Sequence, residues 1–172
     1  TWAEGTDVRA WLDQLDRRWI FLGMGLLVLI PLLVPLGLKL KVSPPVRGFA
    51  EAIDQVPDGS LVLVSLDFDP SGRPELVPMT KTALRHLWGK RCRLVVTCLW
   101  NGGPGLVDQT LDEVAEEFRA NGRPLEYGRD WVFLGYKSGN EAVMVLMGQG
   151  IANAFPVDHH GHVTATLPIM RG

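Results

Sequence analysis

Cysteine is almost missing from this chain of 172 residues: Cys92 and Cys98 are the only two, and both fall in one strand-like run. Six steps along a strand separate them by about 20 Å, far beyond the roughly 4.4–6.8 Å between Cα atoms that a disulfide spans. They read as two core thiols and say little about redox compartment. A basic excess is missing too. The formal net charge is −2, and no strip of aromatics and arginines suits single strands, so nucleic acid is set aside as a partner. The chain has no G-x-G-x-x-G, no P-loop, no internal repeat and no low-complexity tract, and no Ser-His-Asp or Cys-His arrangement can be proposed from spacing. No complete catalytic set is present and no cofactor is implied, so the expectation is a non-catalytic protein.

Charge is absent altogether from Trp19 to Leu38, WIFLGMGLLVLIPLLVPLGL, which sits between Arg17-Arg18 and Lys39/Lys41. About 20 apolar residues at 1.5 Å each match a hydrocarbon core of roughly 30 Å, which predicts a single spanning helix over 19–38. Pro31 and Pro35 would break a helix in water, but a bilayer tolerates them as kinks where neighbours satisfy the freed carbonyls. Only about 12 apolar residues precede Pro31, which also suits a re-entrant or buried segment. A cleaved signal peptide is the other rival. The run is long for one, and Leu36-Gly37-Leu38 lacks the small-residue cleavage pattern.

Residues 1–18 read as an amphipathic interfacial helix, with Val8, Trp11, Leu12, Leu15 and Trp19 on one side and Asp7, Asp13, Asp16 and Arg17 on the other. Trp11, Arg17, Arg18, Trp19, Lys39 and Lys41 are the expected membrane-interface residues. Arginines abutting the apolar run resemble a signal anchor, which puts the tail inside and the following domain outside, extracytoplasmic. Residues 39–59 form a juxtamembrane linker and a short helix from about 44 to 56, with Ser43 before Pro44-Pro45 and Val46, Phe49, Ala50 and Ile53 on one side.

The α/β domain is expected over 60–172. Ser60–Leu66 (SLVLVSL), Cys92–Leu99 and Trp131–Tyr136 (WVFLGY) are short apolar runs, the pattern of strands buried on both faces. Between them, Pro74–Trp88 places Leu76, Met79, Thr80, Ala83, Leu84 and Leu87 at helical spacing. A second helix, capped by Asp108, turns Leu111, Val114, Ala115 and Phe118 inward and ends at Asn121-Gly122. Ser138-Gly139-Asn140-Glu141 reads as a capping box for a third. Strands alternating with helices predict a three-layer, mainly parallel Rossmann-like or flavodoxin-like sheet with helices on both faces. His162–Leu167 (HVTATL) alternates like an edge strand. The chain starts at Thr1 and stops at Gly172 soon after it, so processing or an incomplete chain is expected.

In open α/β sheets ligands bind outside the carboxyl ends of the strands, which singles out Asp67, Asp69, Asn101, Tyr136, Lys137 and Ser138 as ligand-binding candidates. LVLVSLDFDPSG delivers D-x-D at a strand end and resembles the first motif of haloacid-dehalogenase-type phosphatases. That resemblance implies Asp67 as nucleophile, Asp69 as general acid and Mg²⁺ on the phosphate, with Thr97 and Lys137 in supporting roles. Pro70 after Asp69 departs from that family, no later paired acidic motif appears, and a plain turn explains the same residues. Asp158, His159, His160 and His162 form a dense group that can bind Zn²⁺ or Ni²⁺, although adjacent ligands seldom close a tetrahedron alone. Asn101-Gly102-Gly103-Pro104-Gly105 reads as a tight loop, because Asp108 and Asp112 in the next helix repel phosphate.

Taken together, LDRRWIFLGMGLLVLIPLLVPLGLKLKVSPPV, LVLVSLDFDPSGRPELVPMTKTALRHLW and YGRDWVFLGYKSGNEAVMVLMGQGI resemble an uncharacterised family of N-terminally anchored prokaryotic membrane proteins with a Rossmann-like domain. That family's members continue into another strand-helix stretch, and no activity comes with the likeness. A more remote similarity is to extracytoplasmic domains of auxiliary subunits of ABC-type exporters, including gliding-motility proteins. It implies a single-pass, non-catalytic subunit whose partners are the lipid bilayer and other membrane proteins. The alternatives are a Mg²⁺-dependent phosphohydrolase and a small-ligand module at the strand ends.

Overall fold

The three apolar runs become three parallel strands, β1 (Leu61–Ser65), β2 (Arg93–Cys98) and β3 (Trp131–Tyr136), in the order β1-β2-β3. The computed structural model describes residues 16–33 and 42–171, and the chain divides into two units, Thr1–Ser43 and Pro44–Gly172. The elements of the second unit are α2 (Pro44–Gln55), α3 (Arg73–Gly89), α4 (Pro104–Ala120), α5 (Asn140–Gln149) and the single turn α6 (Ile151–Ala154). Each strand lies beside its predecessor, so crossovers of one hand put α3 and α4 on the same face of the sheet. Leu94, Val96, Cys98, Trp131 and Phe133 pack there against Leu84, Leu87 and Trp88 of α3 and Val107, Leu111 and Val114 of α4. The opposite face carries Val95, Val132 and Leu134, covered by Val143, Ala154, Phe155 and Ile169. The predicted α/β class, the parallel pairing and the helices on both faces all appear.

Sheet position overturns one expectation. β1 is expected from sequence to be buried on both faces, yet Leu61 and Leu63 are 42% and 47% exposed, because among the described residues no strand lies beyond β1 and the second-face cover sits over β2 and β3. Helix starts differ as well. α4 begins at Pro104, not at Asp108, because proline fits a first turn whose amides lack partners anyway. Asp108 is therefore an interior residue of α4. Ser138 does not cap α5: the capping position is Gly139, at φ 137, with no side-chain cap bond. His162–Leu167 is not a strand either. It holds a 3-10 turn, Thr164–Thr166, and one isolated bridge from Val163 to Val157.

In the first unit, α1 (Arg17–Leu33) follows Asp16, whose carboxylate accepts the Arg18 amide at 3.1 Å, and none of its residues is buried. Pro31 lies inside it. Its 17 residues are about 25 Å long at 1.5 Å each, and among the described residues no helix is long and apolar enough to cross a membrane. Arg17, Arg18 and Trp19 occupy its exposed first turn. The rest of the expected span, Val34–Leu38, together with Trp11, Lys39, Lys41 and most of the expected interfacial helix, lies outside the described residues.

Candidate functional site

At the carboxyl end of β1 the D-x-D pair is engaged by backbone. Asp67 Oδ1 accepts the Leu99 amide at 2.6 Å and Oδ2 accepts Ser65 Oγ at 2.7 Å. Asp69 Oδ1 accepts Ser71 N at 2.9 Å and Ser71 Oγ at 2.5 Å, capping the 3-10 turn Pro70–Gly72. The Ser71 hydroxyl, then its amide, hold the Asp69 carboxyl below its ordinary value. Local sequence explains this: Asp before Pro-Ser-Gly is the pattern whose side chain closes a turn. Gly103 sits close behind, and a Cβ there would lie 2.6 Å from both Cys98 Sγ and Phe68 O. Burial pushes the Cys98 thiol up, and it donates to Trp100 O at 3.2 Å.

The structure brings Asp67 and Asp69 together with the 99–103 turn but draws Lys137 elsewhere. The Lys137 ammonium donates to Ala154 O at the end of α6 and lies 5.8 Å from the Phe155 ring centroid. A cavity of about 290 Å³ adjoins it, between Leu134–Lys137 and Ala154–His159. Asn101, Tyr136 and Ser138 are exposed. Thr97, a candidate phosphate hydroxyl, is fully buried and its Oγ1 has no partner. Asp67 is exposed, and each of its carboxylate oxygens accepts one donor from the chain, which fixes its orientation and leaves a second lone pair on each oxygen.

The histidine group resolves into a carboxylate-centred loop. Asp158 is buried, and its carboxylate accepts Tyr127 Oη at 2.8 Å, His160 N at 3.0 Å and His162 N at 2.8 Å, with His162 Nδ1 at 3.1 Å. Burial opposes that charge, but the Tyr127 hydroxyl and the His162 amide and ring outweigh it and hold the carboxyl below its ordinary value. Burial and the same carboxylate push the Tyr127 hydroxyl strongly up. The loop is pinned on β3, where His159 N donates to Phe133 O at 3.0 Å. Gly135, at φ 82, admits it: a Cβ there would meet the His159 ring at 3.3 Å.

His160 Nε2 faces Asp108 Oδ1 of α4 at 3.3 Å, and His159 Nε2 lies 4.0 Å from Asp108 Oδ2. Burial, then the neighbouring Asp108 charge, raise the Asp112 carboxyl above its ordinary value. The result is an open groove of about 850 Å³ between α4 and the 157–163 loop, walled by Asp112, Glu116 and Arg119 and by Tyr127, His160 and His162. Among the described residues, no three His, Cys, Asp or Glu side chains are grouped to hold a metal ion. Asp158 therefore serves as a loop organiser, and Asp108 is the residue that joins the imidazoles to the helix. Its pairing was not visible in sequence, where 50 residues lie between them.

A third feature is apolar. His86 Nε2 meets Asp54 Oδ1 at 2.7 Å, and Lys90 Nζ donates to Asp54 O at 2.8 Å, fastening the C-terminal end of α2 to that of α3. From that contact along α2 the two helices leave a groove of about 320 Å³, lined by Val46, Phe49, Ala50, Ile53, Pro78 and Met79 among others. Phe49 and Met79 are each 60% exposed on its walls. The sequence showed the apolar side of α2, but not that it is left half-covered.

No family model, no curated protein and no solved structure matches this chain, so the residues described above carry the functional reading by themselves.

Proposed function

We propose that this chain is a single-pass, non-catalytic subunit of a membrane protein assembly, whose Rossmann-like α/β body lies on the extracytoplasmic side and whose tether is Trp19–Leu38. The observation that carries the reading is a contrast between polar and apolar groups. The side chains a catalyst needs free, Asp67, Asp69, Lys137 and Asp158, are each held by the chain's own backbone. Large apolar side chains stand uncovered instead, throughout α1 and on the walls of the α2–α3 groove. Exposed apolar surface of this kind marks contact with proteins or lipid. An auxiliary role beside a transporter fits such a body, which supplies contact area without chemistry.

The test is extraction of the full chain from native membranes in mild detergent. Co-purification of a constant set of membrane proteins, lost on Phe49→Glu with the melting temperature unchanged, supports the proposal. A lone monomer, or a chain released from membranes by alkaline carbonate, overturns it.

A further inference from the structure

We propose that β1 is a pairing edge, and that it takes the β1 strand of a second copy of this chain in antiparallel register centred on Leu63. Parallel pairing with β2 consumes alternate residues of β1. Arg93 N donates to Ser60 O and Leu66 N donates to Thr97 O, and in the Leu61↔Arg93 to Ser65↔Thr97 register this leaves the amides and carbonyls of Leu61, Leu63 and Ser65 pointing away from the sheet. Among the described residues no other strand meets them. Backbone groups in such a row are completed by a strand rather than by a helix or a side chain.

Edges that stay single usually carry a lysine, a proline or a bulge. LVLVS has none, and its Leu61 and Leu63 side chains are themselves uncovered.

Charge decides what the partner is. The run itself is neutral, so a second copy meets no like charge along it. The amino end of the β1–β2 pair holds Lys90, Arg91 and Arg93 against Asp54 and Asp58, while the carboxyl end holds Asp67 and Asp69, neither in an ion pair among the described residues. An antiparallel two-fold sets the basic end of each copy beside the acidic end of the other. A two-fold contact must be self-complementary, and this edge is. In that register Leu63 faces Leu63 of the second copy, Leu61 faces Ser65, and the two sheets join into one of six strands.

The test uses the full chain purified in detergent. Leu63→Cys on the axis places two thiols at a Cα separation of about 5.5 Å, inside disulfide range, while the native Cys92 and Cys98 are buried. Mild oxidation is expected to give a covalent dimer at least tenfold faster than for Met144→Cys, a control on α5 that is more exposed than Leu63, at 60% against 47%. The double substitution Leu61→Lys, Leu63→Lys is expected to convert a dimer by light scattering to a monomer with an unchanged far-ultraviolet spectrum. Equal cross-linking of the two cysteine variants, a wild-type monomer, cross-linking to a different protein, or a dimer that survives both lysines overturns the proposal.

Discussion

The carboxylate of Asp67 bridges two strand ends, accepting the Leu99 amide at 2.6 Å across from β1 to the residue after β2. The same aspartate that resembles a nucleophile in sequence also ties the two strand ends together.

Asp67→Ala is expected to lower unfolding free energy by about 1 kcal/mol, the net scale of a typical hydrogen bond. Urea unfolding measures it. The wild-type chain with Mg²⁺ is expected to show no turnover on a panel of phosphate esters. Turnover that Asp67→Asn abolishes would restore the phosphatase reading.

Asp158 gives a prediction with a sign. Its folded carboxyl lies below the ordinary value of 3.8, so its contribution to stability is fully present above that value. As pH falls, the contribution begins to decline near 3.8 and is lost on passing through the lower folded value. Asp158→Asn should therefore cost about 2 kcal/mol at pH 7 and less at pH 3, below the ordinary carboxyl value. Urea midpoints of the two proteins compared at both pH values decide it; a gap that stays constant with pH would show that charge is not what the loop uses.

Gly103→Ala isolates packing from backbone strain. Gly103 sits at φ −90, which alanine adopts freely, yet a Cβ would lie 2.6 Å from Phe68 O. Overpacking of this kind costs about 1–3 kcal/mol. Gly105→Ala, two residues on and with open space, should be neutral or slightly stabilising. Thermal melts of the pair check it, and equal behaviour would disprove the close approach.

Residues 44–172 hold both hydrophobic clusters of the α/β body. Expressed alone they should fold and stay soluble without detergent, whereas the full chain should float with phospholipid vesicles. A full chain that remains in the soluble fraction would remove the tether from the proposal.

Much of the fold was legible because each strand and helix is specified by neighbours in sequence. LVLVS, RLVVTC and WVFLGY stand as apolar runs between turn formers, and α3 shows its inward Leu84 and Leu87 at helical spacing. Helix starts were less legible. Asp108 and Ser138 have the chemistry of caps, but Pro104 and Gly139 set the boundaries through backbone geometry.

The sequence by itself determined the α/β class, the parallel sheet and the apolar segment after Arg18, because periodicity, charge and proline act within a few residues. Tertiary structure alone decided that β1 is an open edge among the described residues and that Lys137 closes on Ala154. It also decided that Asp158 binds its own loop and that Asp108 reaches the histidines. Each of these depends on which groups meet across tens of residues, and an exposed carboxylate and a buried one are written with the same letter.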